Sequence, residues 1–208
     1  MNISSMTYAA FNAGRRSGLP LIAALVTMSA QAQTTITFDE VTGATAINNT
    51  YAGMVFSNPL TGGSIFVSSA PHFKTPPNVV TVFQTSGAFN EYWGSVQVTF
   101  STLQQSVSID VAAARSSSDG WNESARPYIR AYDSNGAQVA SGEFVGTLPQ
   151  SGETTAWQTM TATAATATIK SVRFSVPYPA SGPWIYGYFD NLRLSPGIFV
   201  RCPAWRCR

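Results

Sequence analysis

The sequence has 208 residues, of which 44% are hydrophobic and only 11% charged, with a formal net charge of +2. That length allows one domain once an N-terminal segment is set aside. The low charge and the abundance of Thr, Ser, Gly and Ala fit an exported β-protein and argue against a charged, helical cytosolic one.

Residues 1–32 read as a signal peptide. Arg15 and Arg16 supply a positive start, Leu19–Ala30 is an apolar run broken by Pro20, and Ala30-Gln-Ala32 fits the small-x-small cleavage pattern. Cleavage there predicts a mature chain beginning at Gln33. It removes two Arg and no acid, which leaves ten basic and ten acidic residues. A neutral mature chain has no global electrostatic case for nucleic acid. No run of eighteen apolar residues follows the N-terminal segment, so no transmembrane helix is expected in the mature chain. The expected location is outside the cytosol, either periplasmic or extracellular.

From residue 33 onward, short apolar-polar alternations recur between turn signals, which is the pattern of an all-β sandwich. Strands are expected near 34–40, 50–57, 64–69, 79–85, 94–101, 106–115, 127–133, 137–145, 156–163, 169–177 and 185–194. Period-two alternation predicts that Val96, Val98, Phe100, Val107, Ile109, Val111, Val172, Phe174 and Val176 face the core. Asp133-Ser-Asn-Gly136 reads as a hairpin turn, with Asn and Gly suited to positive φ. The loops fall at 71–78, 86–93, 116–125 and 178–184. The expected domain is 33–195. Beyond it, 196–208 is an irregular basic tail whose Cys202 and Cys207 could close only a tiny loop.

The two outermost strands each place an acid beside an apolar stripe. In Tyr186-Gly-Tyr-Phe-Asp-Asn-Leu-Arg-Leu194, strict alternation puts Tyr188, Asp190, Leu192 and Leu194 on one face. In Thr35-Ile-Thr-Phe-Asp-Glu40, Ile36 and Phe38 share a face with Glu40, and Asp39 is adjacent. A carboxylate at a core-facing parity must be hydrogen-bonded or bound to a metal, so the two ends are expected to share a structural site.

An I-x-F-D/E opening, the Tyr51-Ala-Gly-Met-Val-Phe56 strand and the closing F-D-N-L together resemble secreted bacterial β-jelly-roll domains of the galactose-binding-like and carbohydrate-binding-module type. The resemblance implies a two-sheet antiparallel jelly roll. It also implies a structural calcium between first and last strands, with Asp190 and Asp39 or Glu40 as ligands. Domains of this type in Gram-negative bacteria often end in a sorting tail with P-E-P and an apolar helix. This chain has neither.

For function, sugars offer C–H faces to Trp and Tyr and hydroxyls to polar neighbours. Tyr92-Trp93 lies in one loop, and Asp119-Gly-Trp121-Asn122-Glu123 with Arg126 beyond lies in another. Tyr178 and Trp184 flank a third. The Trp121 loop, with Asp119, Asn122 and Arg126, is the first candidate for a glycan site, and Trp93 and Trp184 are the next. The alternative for each aromatic is a cap on the end of the core. A hydrolase would need two carboxylates about 5–10 Å apart, and Glu91, Asp119, Glu123 and Glu143 sit in no recognisable catalytic motif. His72, the only histidine, lies in a Pro-rich loop with no nucleophile elbow nearby. The expectation is a non-catalytic carbohydrate-binding domain acting at the cell surface or in the extracellular matrix. A polysaccharide hydrolase with an unrecognised carboxylate pair and a purely structural matrix protein are the alternatives.

Overall fold

The described residues form thirteen strands and no helix. The structure, a computed structural model, describes residues 33–59, 64–69, 74–82, 95–115, 124–147, 154–177 and 185–197. The strands are β1 (Thr34–Ile36), β2 (Met54–Ser57), β3 (Val67–Ser68), β4 (Val79–Val82), β5 (Ser95–Gln104), β6 (Ser106–Arg115), β7 (Ser124–Ala125), β8 (Tyr128–Tyr132), β9 (Gln138–Glu143), β10 (Gly146–Thr147), β11 (Gln158–Thr163), β12 (Ile169–Ser175) and β13 (Ile185–Ser195). One sheet runs β11-β6-β13-β4-β3 with β1 also on β13, and the other runs β2-β5-β12-β8-β9. All these pairings are antiparallel. A short β10-β7 pair stands beside them.

The alternation read from the sequence decides the faces. Val96, Val98, Phe100, Val107, Ile109, Val111, Val172, Phe174 and Val176 are all buried in one core cluster. Phe174 packs against Phe189 across the two sheets, with ring centroids 4.8 Å apart. A second aromatic group closes one edge, where Phe38 stands edge-on to Tyr51 and Phe56 at 5.9 and 6.1 Å. The expected 133–136 hairpin is present. Asp133 Oδ1 accepts the N–H groups of Asn135 and Ala137, while Gly136 alone takes the positive φ, at 80°.

Two expectations need correction. β13 does not keep one parity along its length. Phe189 and Leu192 both face the core, so the register shift between Asp190 and Arg193 is a β-bulge of one extra residue. Tyr188 therefore lies on the outer face, in a small cluster with Val79 and Ala114, and not with Leu192 and Leu194. The bulge residue Asn191 has a φ of 51°, a conformation that Asn tolerates better than most residues. β1 is also shorter than expected. It ends at Ile36, and Phe38 turns the chain with a φ of 65°, which leaves Glu40 exposed instead of core-facing.

In the Tyr51–Phe56 motif, the glycine has a local cause. Gly53 has a φ of 78° and its carbonyl accepts the Ser101 N–H at 2.8 Å. A Cβ there would meet Ser101 Oγ at 2.8 Å.

Phe174 is fully buried between the sheets. Phe174→Ala should lower the unfolding free energy by about 3–5 kcal/mol, measured by urea denaturation. A loss below about 1 kcal/mol would contradict its place in the core.

Candidate functional site

The acids of the terminal strands come together, but on hydrogen-bond donors. β1 pairs with the last part of β13, with Thr34 opposite Leu194 and Ile36 opposite Leu192. β4 pairs with the earlier part, with Phe189 opposite Val80. Asp190 thus falls where β13 exchanges one partner for the other. It is 0% exposed. Its Oδ2 accepts the Thr75 N–H at 2.8 Å and the Thr75 hydroxyl at 2.9 Å, and its Oδ1 accepts the Asn191 N–H at 2.7 Å. Asp39 Oδ1 accepts the Asn78 N–H at 3.0 Å. The Asn78 amide then donates to the carbonyls of Phe38 and Val41 at 3.3 and 2.6 Å. Burial pushes the Asp190 carboxyl above the usual Asp range, against the pull of the Thr75 and Asn191 donors, and nearby Asp39 adds to the rise.

A calcium ion needs six to eight oxygen ligands turned toward one point. Here donors occupy both oxygens of Asp190. Glu40 turns elsewhere, accepting from the hydroxyls of Thr37 and Tyr51, each at 3.2 Å. No group of three or more His, Cys, Asp or Glu gathers for a cation among the described residues. As described, Asp39, Glu40 and Asp190 serve as acceptors in a hydrogen-bonded junction.

One buried acid had no signal in the sequence. Asp110, 2% exposed on the outer face of the six-stranded sheet, takes a bidentate pair from Arg193 at 2.9 and 2.8 Å. Thr159 Oγ1 and Asn191 Nδ2 also donate to it. Burial alone would raise its pKa, but the bonds from Arg193, Thr159 and Asn191 outweigh that and hold it below the usual Asp value. The bulge makes this possible by bringing Asn191 beside Asp110, a placement strict alternation does not foresee.

The aromatic loops raise a question of placement. Trp93, Asp119, Trp121, Asn122 and Trp184 lie outside the described residues, as do Glu91, Glu123 and His72. The strand ends that carry them are described. Gln105 alone links β5 to β6, which fixes the start of β5 and the end of β6 at the same end of the sandwich. Ser95 is opposite Ser175, Ser175 opposite Tyr128, and Tyr128 opposite Glu143. In the other sheet Ile185 is opposite Arg115, and Val82 is opposite Gly187. The described residues that flank 83–94, 116–123, 148–153 and 178–184 therefore all lie at one end of the sandwich. The opposite end carries the Gln105 link, the 133–137 hairpin and the 164–168 turn.

Two elements of the described surface stand near those roots. Arg126 is exposed between β7 and β8. Tyr128 opens β8 with the Arg130 guanidinium 4.3 Å from its ring centroid. Tyr128 is 5% exposed, and its buried hydroxyl has no hydrogen-bond partner among the described residues. Further along the same face, Arg173 lies 5.6 Å from the Tyr132 ring and donates to Gln97 at 3.3 Å. This Tyr-Arg strip was legible in Tyr128-Ile-Arg-Ala-Tyr132, where the polar residues share one parity, yet nothing in the pattern alone separates it from a solvated face.

Neither a protein-family model nor a curated protein matches the sequence. Among solved structures, the K2 cleaved adhesin domain of Lys-gingipain is similar at a TM-score of 0.50 and 16% identity, over 80% of this chain and 99% of that one. The K1 cleaved adhesin domain of Lys-gingipain from Porphyromonas gingivalis is similar at 0.46 and 11% identity, over 79% and 98%. The CBM22-1 xylan-binding domain from Paenibacillus barcinonensis is similar at 0.41 and 12% identity, over 82% and 95%. The likeness to the K2 domain shows the class of fold, a two-sheet antiparallel β-sandwich of the jelly-roll kind.

Three measurements test the acids. Asp190→Ala leaves the Thr75 and Asn191 donors without an acceptor and should cost about 1–3 kcal/mol. A chelator should leave the melting temperature of the wild type unchanged, and a fall on chelation would put a cation at the junction. Asp110 titrates below its unfolded value, so its contribution is present above about pH 4 and is lost as the pH falls through the folded value. Asp110→Asn should therefore cost about 1.5–3 kcal/mol at neutral pH and progressively less as acid protonates the carboxylate, in urea melts from neutral to acid pH. A wild type whose stability relative to Asp110→Asn does not fall anywhere on acidification would contradict the ionised pair.

Proposed function

We propose that the protein is an exported, non-catalytic glycan-binding domain acting at the cell surface or in the extracellular matrix. The observation that carries this reading is the common root of four segments at one end of the sandwich, three of which bear Trp93, Trp121 and Trp184. Aromatic side chains strung from adjacent strand ends are the means by which a rigid scaffold offers stacking surfaces to sugar rings. Trp121, with Asp119, Asn122 and Arg126, is the proposed centre of the site, flanked by Trp93 and Trp184. Of the described acids, Asp39, Glu40, Asp110, Asp133 and Asp190 accept structural hydrogen bonds, while Glu143 is exposed on β9.

Binding on a glycan array, followed by titration of the best neutral hit, tests this. Trp121→Ala should weaken binding more than about tenfold while leaving the melting temperature nearly unchanged. A marked drop in melting temperature with binding retained would make Trp121 a cap on the core instead.

A further inference from the structure

The outer face of the five-stranded sheet holds a second feature, several residues along the strands from the loop-bearing end. Beside β2 lies a solvent-open hollow of about 420 Å3, walled by Asn49, Tyr51, Val55, Thr99, Ser101 and Lys170. The Tyr51 ring is a fixed wall. It packs edge-on to Phe38 and, at 5.8 Å, against Phe56, and its hydroxyl is tied to Glu40 at 3.2 Å. Val55, 47% exposed, puts a branched apolar side chain beside the Tyr51 ring in the lining.

Ile169 and Val172 both lie in the core, so two consecutive residues, Lys170 and Ser171, stand between two inward ones. The register of β12 on β5 is irregular here, with Ile169 opposite Gln104 and Ser171 opposite Thr99, so the extra residues lie on β5. The Lys170 side chain lines the hollow. The side chains of Asn49, Thr99, Ser101 and Lys170 make no hydrogen bond or ion pair with the rest of the protein among the described residues. The Glu40 carboxylate already accepts from Thr37 and Tyr51 and is not part of the wall.

An aromatic and aliphatic wall met by two hydroxyls, an amide and an ammonium group suits a sugar ring, and the volume lies within the range of about 300–1,000 Å3 usual for small-ligand sites. The C–H face would lie on Tyr51 and Val55, and the ring hydroxyls would reach Asn49, Thr99 and Ser101. A neutral sugar leaves the ammonium group without a counterpart. We propose that this hollow binds the carboxylate-bearing unit of an acidic polysaccharide, a uronic acid, with Lys170 as the partner of its carboxylate. The assignment rests on the glycan-binding reading and adds to it a second, charge-selective site.

Calorimetric titration of the full chain with a galacturonate trimer and with a neutral trimer, at low salt, is the test. The acidic trimer should bind the wild type, and more weakly as salt is raised. Lys170→Gln should weaken it at least about tenfold, Lys170→Arg should retain most of it, and Trp121→Ala should leave it unchanged. Equal binding of the acidic trimer by wild type and Lys170→Gln would overturn the assignment. So would no binding of that trimer by a wild type that still binds neutral glycans, and the broader reading would then stand. A wild type that binds no saccharide of either kind would overturn both.

Discussion

Three stretches of chain meet at Asp190, and the six-stranded sheet depends on that meeting. β13 is flanked by β6 on one side. On the other side it must pass from β4 to β1 halfway along. Where two strands abut end to end, ladder hydrogen bonds run out, and buried backbone groups left unpaired cost about as much as lost hydrogen bonds. The carboxylate of Asp190 receives the incoming segment at Thr75, Asp39 receives it again at Asn78, and Asn78 reaches back to the chain leaving β1. A charge is kept at 0% exposure because three donors surround it. The raised pKa of Asp190 shows that this compensation is incomplete, so ionised Asp190 stabilises the seam less than the same donors would in a more open setting.

The bulge at Asp190 and Asn191 acts on both sides of β13. It turns Asp190 toward the seam and brings Asn191 beside Asp110, where Arg193 and Thr159 complete a network. One inserted residue thus supplies two buried acids with partners. The irregularity between β5 and β12 differs, since its extra residues lie on β5, and Lys170 beside it has no ion-pair partner among the described residues. Bulges re-aim side chains, and in β13 the bulge decides where charge is buried.

Much of the fold was readable because period-two alternation is strict in β5, β6 and the last part of β12. Val96 to Phe100, Val107 to Val111 and Val172 to Val176 lie as that pattern requires. The pattern fails where a bulge intervenes, since a single extra residue inverts every parity beyond it. For that reason Tyr188 and Phe189 exchange the faces that counting back from Leu194 assigns them. The terminal acids were recognisable as anomalous, because a carboxylate beside an apolar stripe always needs an explanation. The nature of their partners was not recognisable, since Thr75 and Asn78 lie 115 and 39 residues away from Asp190 and Asp39. The cationic hollow escaped notice for the same kind of reason, as it gathers residues from three strands that no local motif links.

The pairing of β1 with β13 also fixes where the domain can be attached to anything else. Gln33 precedes Thr34, which stands opposite Leu194, and Pro196 follows Ser195, which stands opposite Ser106 beside the Gln105 link. Entry and exit of the chain therefore lie together, at the end remote from the segments that bear Trp93, Trp121 and Trp184. A neighbouring module or a surface anchor joined at either terminus would hold the domain by its base, with the strand ends that root those segments on the far side. The domain could be inserted into a longer chain, or repeated along one, without obstructing that end.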